Sequence, residues 1–223
     1  MKFLNKIIFF YYREYKLNIS GIQDILTNII FFFISIFIFI FSIGPDKETI
    51  SQIGVGIVWT LLLLSSTLSL RKFYQDDFEN GNLLIIHLNG FSFGFIAILK
   101  TFSHFLFVQL PFLLSIPIAC ILLNIANDKL FFLFSSFGIG SLTLSCLGSI
   151  SSSMNLMNQR NFLLGSAIVM IFSVPIIIFS VGIINMEENF NSLINILFGI
   201  LLIVFAINPW ASGICLKLSL ENN

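Results

Sequence analysis

Long stretches without a charged residue dominate this sequence and restrict what the chain can fold into. Each stretch reaches the length of about 20 residues that a helix needs to cross the hydrocarbon core of a membrane. The uncharged stretches are Ile25–Pro45, Thr49–Leu70, Thr101–Asn127, Leu130–Gln159, Asn161–Met186 and Asn189–Leu216. Composition agrees, because 57% of the 223 residues are hydrophobic and only 10% are charged. An integral membrane protein is predicted.

Helices, rather than the strands of a membrane barrel, are expected to form these spans. A barrel strand alternates apolar and polar residues, and runs such as IIFFFISIFIFIF do not alternate. The sequence therefore predicts an all-α integral membrane protein with six transmembrane helices in one domain, residues 1–223. The expected spans cover about 23–44, 50–70, 100–124, 130–155, 161–185 and 190–215.

The distribution of lysine and arginine predicts the orientation. Loops on the cytoplasmic side carry an excess of these residues. Nine of the eleven fall in the terminal segments and the even-numbered loops: Lys2, Lys6, Arg13, Lys16, Arg71, Lys72, Lys100, Arg160 and Lys217. The other two are Lys47 and Lys129. Both termini are expected in the cytoplasm, or in the matrix of a mitochondrion, and Asp46–Glu48, 127–129 and 187–188 on the outer side.

Two other segments have a distinctive composition. Residues 1–20 mix aromatic residues with cations, and they contain no apolar run long enough to span a membrane. This composition predicts an amphipathic helix at the membrane interface. The fourth span repeats a small residue every four positions, at Ser141, Ser145, Ser149 and Ser153. Such a row lets another helix approach closely. It indicates packing within the subunit, a dimer contact or a polar wall of a translocation path.

Motifs for chemistry are missing from the sequence. There is no GxxxxGK[ST] loop for ATP, no HExxH and no pair of acidic residues within a span. His87 and His104 are interpreted as hydrogen-bonded structural residues rather than haem or metal ligands, and the three cysteines as buried apolar residues. The formal net charge of zero gives no signal for nucleic acid. We expect a subunit without catalytic activity or a bound cofactor of its own.

The segment RKFYQDDFENGNLL, from Arg71 to Leu84, is unusually charged for this chain. It resembles the cytoplasmic coupling region of exporter permeases that work with a separate ATP-binding subunit, where a pattern close to D-G-[ST]-L-E-x-L forms a short docking helix. Here ENGNLLIIHL keeps Gly81 and Leu83, while Leu84 and Asn89 replace a glutamate and a proline common in that pattern. The resemblance implies that the ATPase docks on Asp76, Asp77, Glu79, Gly81 and Leu83. The alternative is that these charges only solvate a loop.

Five segments, one of them within the charged segment, extend the resemblance over most of the chain. They are FSIGPD at 41–46, GVGIVWTLLLLSSTLSL at 54–70, FYQDDFENGNL at 73–83, LKTFSH at 99–104 and INPWASGICLKLSL at 207–220. With these motifs, the chain resembles the cytochrome c maturation protein B family, also called haem exporter protein B.

The resemblance implies a permease-like subunit of an ABC-type complex that handles haem for c-type cytochrome biogenesis, with an ABC-2-type exporter permease fold. The implied partners are an ABC ATPase that carries the ATP, a haem-handling membrane protein, a haem chaperone and a second copy of the chain. The implied location is the bacterial inner membrane, or the mitochondrial inner membrane for an organelle-encoded chain. Two alternatives are an ABC-2-type exporter of a lipid, drug or polysaccharide, and a proton-conducting subunit.

Overall fold

A computed structural model describes residues 2–69, 73–157, 162–185 and 189–221, and within those ranges it contains helices and no strand. The α-helices are α1 (Lys2–Ser20), α2 (Ile22–Ile43), α3 (Lys47–Ser69), α4 (Gln75–Glu79), α5 (Asn82–Leu88), α6 (Phe93–His104), α7 (Leu110–Leu122), α8 (Leu130–Met157), α9 (Phe162–Asn185) and α10 (Phe190–Glu221). A π-helical turn, Phe105–Gln109, joins α6 to α7, and a 3-10 turn, Asn127–Lys129, precedes α8.

Six helical segments in the described ranges are long and apolar enough to cross a membrane, so the predicted number of spans is confirmed. They are Ile22–Ile43, Lys47–Ser69, Phe93–Leu122, Asn127–Met157, Gly165–Ile184 and Phe190–Glu221. The protein is a multi-pass membrane protein. The third span is continuous through the π-turn and begins at Phe93, so that Lys100 lies inside it.

Local sequence explains where these helices begin and end. Span one ends at Gly44, which has a positive φ of 87° and is followed by Pro45. The N–H of Gly44 donates to the carbonyl of Ile40 at 3.1 Å, which satisfies one of the last carbonyls of the helix. At the start of α6 the hydroxyl of Ser92 accepts from the N–H of Phe95 at 3.3 Å, a standard N-cap.

Helix α8 is at the centre of the bundle, packed on α10, α9 and α6, while α2 packs on α3 and α3 on α9. The serine row of α8 is buried inside this arrangement: all four members are at most 1% exposed. In this structure helices of the same chain therefore occupy the row. Its Ser149 hydroxyl contacts the Ser212 hydroxyl of α10 at 3.2 Å.

A second apolar cluster lies at one end of the bundle, separate from the core between the spans. It joins α1, α4 and α5, which we call the end layer, to the neighbouring ends of the spans. Phe10, Phe78 and Leu83 contribute from the end layer, and Leu156 and Leu216 from α8 and α10. The predicted N-terminal helix is present as α1, and its Lys6 donates to the carbonyl of Asn89, the residue after α5, at 2.8 Å. Its place at a membrane interface stays a prediction.

Candidate functional site

The charged segment between spans two and three folds as two short helices, α4 and α5. Arg71 and Lys72, at its start, lie outside the described residues. Gly81 separates the helices and has a φ of 69°, in the left-handed region that glycine adopts without a steric penalty. A Cβ at this position would meet nothing within 4 Å, so the backbone conformation, rather than a lack of space, calls for glycine.

The five residues expected to dock an ATPase fall into two groups. Asp76, Glu79 and Gly81 are exposed, and Asp76 also lines a cavity beside α4. Asp77 and Leu83 are buried, at 3% and 0% exposure, so they hold the segment from inside. As buried side chains, they would support a docked partner rather than touch it.

The sequence predicts a short apolar helix after Gly81 that fits a groove with Leu83, Leu84, Ile86 and Leu88, but the structure buries Leu83 and Ile86 and leaves an apolar strip on the exposed side of α5. Leu84, Ile85 and Leu88 are all exposed there, although each is a large apolar side chain. The exposed surface of the segment is therefore acidic at α4 and apolar at α5.

Beneath α4 lies a cluster of four charged side chains from three separate helices: Arg13 and Glu14 of α1, Asp77 of α4 and Lys100 of α6. Glu14, Asp77 and Lys100 are buried, and Arg13 is half-buried. The Lys100 ammonium lies 2.5 Å from Asp77 and 3.1 Å from Glu14. Arg13 pairs with Glu14 at 2.8 Å and with Asp77. Two positive and two negative groups cancel, which is how charges are tolerated in a protein interior.

The charges around Asp77 change its acidity. Burial alone raises the pKa of this carboxyl, but the Lys100 ammonium and the Arg13 guanidinium outweigh burial and hold the pKa below its ordinary value. On the other side of the cluster, the Ser103 hydroxyl donates to Glu14 at 3.2 Å. Asp77 is thus an ionised carboxylate with its partners already inside the subunit.

A chain of hydrogen bonds connects α4 to the spans from Tyr74, the residue just before the helix. The Tyr74 hydroxyl is 2.7 Å from that of Ser149, which is 3.2 Å from the hydroxyl of Ser212. Ser212 donates to Asn208 at 2.9 Å, and Asn208 donates to Thr101 at 2.8 Å. These hydrogen bonds join α4 to α8, α10 and α6. The short helix is therefore fixed to the bundle by polar contacts as well as by apolar packing.

His104 is also buried and hydrogen-bonded inside the bundle. Its Nδ1 lies 3.1 Å from the Ser145 hydroxyl and its Nε2 2.9 Å from that of Ser69, and its ring packs on Phe73. Both ring nitrogens therefore have hydrogen-bond partners, in keeping with the structural role expected for it. His87 has its Nδ1 2.9 Å from the carbonyl of Phe91.

A cavity of about 590 Å³ adjoins the ion cluster. Its lining includes Asp77 and Lys100, the α4 residue Asp76, and Asn28 of the first span. The cavity separates one side of α4 from α2, so protein atoms do not fill the space on that side of the short helix.

Comparison with known proteins gives a consistent result along the whole chain. Residues 5–219 match the model of the family described as CcmB protein. The chain is 29% identical to Heme exporter protein B of Haemophilus influenzae, over 94% of this chain and 96% of the relative. The protein of the same name from Paracoccus denitrificans is 30% identical, over 81% and 84%. That from Bradyrhizobium diazoefficiens is 26% identical, over 94% and 96%. This chain belongs to the CcmB protein family.

Proposed function

We propose that this chain is the membrane subunit of an ABC-type haem exporter required for c-type cytochrome biogenesis. The match to the CcmB family over residues 5–219 carries the proposal, together with relatives that are named Heme exporter protein B. Six spans of membrane length suit a permease subunit. Haem is the species that the complex handles, and this chain acts as a permease rather than as an enzyme.

A separate ATPase supplies the energy in this proposal. The sequence has no phosphate-binding loop, so the chain depends on another subunit to bind ATP. The exposed residues of α4 and α5 suit such a partner. Asp76 and Glu79 of α4 offer negative charge. Leu84, Ile85 and Leu88 of α5 would fit an apolar groove. A helix that places its apolar side in a groove is a common mode of protein recognition.

The end layer faces the cytoplasm in the proposed orientation, and the protein belongs in the inner membrane. Lys6, Arg13 and Lys16 of α1, and Lys217 near the end of α10, lie at this end of the bundle, and positive residues favour the cytoplasmic side. A reporter that is active only outside the cytoplasm should be silent when fused after Leu220 and active when fused after Lys129. The reverse pattern would overturn the orientation.

The complex we propose also contains a second copy of this chain, a haem-handling membrane protein and a haem chaperone. Because the serine row of α8 is covered within the subunit, the contact between two copies lies on another surface. Native mass spectrometry of the purified complex tests this composition by counting the copies.

Purification of the tagged chain from its own membranes in mild detergent tests the functional proposal. We expect an ATPase and a haem-handling membrane protein to co-purify, and neither to appear with an unrelated tagged membrane protein. Recovery of the ATPase without a haem-handling protein would instead favour an exporter of a lipid, drug or polysaccharide. Recovery of neither would contradict the proposal.

A further inference from the structure

Two adjacent carboxylates of α4 have opposite environments. Asp76 is exposed, whereas only 3% of the Asp77 surface is exposed to solvent. A helix of only five residues is not stable by itself and depends on its contacts with the rest of the protein. The contacts of Asp77, together with buried Phe78 and the hydrogen bond of Tyr74, fix where α4 sits relative to the spans.

Those contacts lead from α4 to the helix that carries the third span. Asp77 binds Lys100 at 2.5 Å, and Lys100 belongs to the third span, Phe93–Leu122. Arg13 connects the same carboxylate to α1. A movement of α4 would therefore act on the third span through an ion pair rather than through apolar side chains alone.

An ion pair suits this task better than apolar contact. Apolar packing is non-directional, so it does not tie one particular residue to another. A buried ion pair resists separation, because each charge left alone would be desolvated and uncompensated. The pair of Asp77 and Lys100 is thus a specific connection between α4 and the third span.

Two neighbouring features would allow α4 and the third span to move: a cavity and an irregular helical turn. The cavity of about 590 Å³ lies beside α4 and is lined by both members of the pair. The π-turn Phe105–Gln109 begins five residues after Lys100 and interrupts the regular helix of the third span. Turns of this kind are common at functional sites and at bends.

We propose that Asp77 is a positioning residue that, through its ion pair with Lys100, transmits movement of the ATPase-docked segment to the third span. The proposal rests on the proposed function, because it requires an ATPase at the end layer. It assigns the two carboxylates different tasks: Asp76 contacts the ATPase, and Asp77 passes the motion on.

The test uses the intact complex with its ATPase and a double variant, Asp77→Asn with Lys100→Gln. This change removes one charge of each sign, so the remaining Arg13–Glu14 pair stays neutral and the fold is spared an unpaired charge. The single variant Asp77→Glu keeps the carboxylate, and Asp128→Asn is the control for an exposed carboxylate outside the end layer. The measurements are ATP hydrolysis by purified complexes and haem delivered per ATP hydrolysed.

We expect the double variant to assemble and hydrolyse ATP while haem delivered per ATP falls by about tenfold or more. Asp77→Glu should restore most of the yield, and Asp128→Asn should match the wild type. A purely structural role would lower the amount of complex without changing the yield per ATP, and that result would overturn the inference. Failure of the wild-type chain to recruit any ATPase would instead overturn the proposed function.

Discussion

Gly140 of α8 lies against the indole ring of Trp59 in α3, so closely that a Cβ at position 140 would overlap the Cη2 atom of the ring. Trp59 is fully buried and also packs on Phe137, with the ring centroids 4.3 Å apart. Only a residue without a side chain allows the indole to occupy this place. The contact explains one of the glycines in a span that is otherwise notable for its serines.

Replacing Gly140 with alanine should therefore destabilise the protein. Extra atoms in a packed core cost about 1–3 kcal/mol, because side chains must leave their preferred rotamers. Gly138→Ala is the control, since a Cβ there meets nothing within 4 Å on the same helix. The melting temperature of the purified protein in detergent should fall for Gly140→Ala and not for Gly138→Ala. Equal values would contradict the close contact.

Gly81 should tolerate asparagine better than valine. Its φ of 69° is unfavourable for most residues by about 1–2 kcal/mol, and a β-branched side chain makes it worse, whereas asparagine visits this region more readily. We expect faster hydrogen exchange in residues 75–88 for Gly81→Val than for Gly81→Asn. Similar exchange in the two variants would show that the turn does not depend on the left-handed conformation.

Acidification should weaken the attachment of α4 through Asp77. The pKa of this carboxyl is lower in the folded state than its ordinary value, so its contribution to stability is present above the unfolded-state pKa of about 4. That contribution is lost as the pH falls through the folded-state pKa. The melting temperature of the wild type should drop below about pH 4 more steeply than that of Asp77→Asn. Parallel curves would contradict the ion pair.

The six spans could be predicted from the sequence, because an uncharged apolar stretch of membrane length forms few structures other than a membrane-spanning helix. It was insufficient for the ion cluster. Arg13 and Asp77 are 64 residues apart, and Glu14 and Lys100 are 86 apart, so nothing local indicates that they meet. The helix that carries the third span already begins at Phe93, and within it the charge of Lys100 is paired with Asp77 and Glu14.

The position of Asp77 also illustrates what composition cannot reveal. Three acidic residues in one short segment suggested a common role, yet burial separates Asp77 from Asp76 and Glu79. The docking surface that we propose is consequently narrower than the acidic segment. We include in it the exposed apolar side chains of α5, which lie opposite the buried Leu83 and Ile86.

Reversal of both exposed charges, Asp76→Lys with Glu79→Lys, should reduce recovery of the ATPase. Like charges placed against a complementary partner surface cost several kcal/mol, whereas a single exposed pair is worth about 0–1 kcal/mol. The control reverses Glu48 and Asp128, which are exposed outside the end layer and change the net charge equally. Both variants must first be shown to insert in the membrane. Wild-type recovery of the ATPase by the Asp76/Glu79 variant would favour a merely solvated loop.

Covalent attachment of haem to c-type cytochromes tests the central claim most directly. In a strain of the source organism that lacks this gene, haem staining of denatured proteins should show no c-type cytochromes, and the wild-type gene should restore them. Cytochromes that hold haem without a covalent bond should persist, because haem synthesis is intact. Normal levels of covalently bound haem in the deletion strain would contradict a role of this chain in haem export for c-type cytochromes.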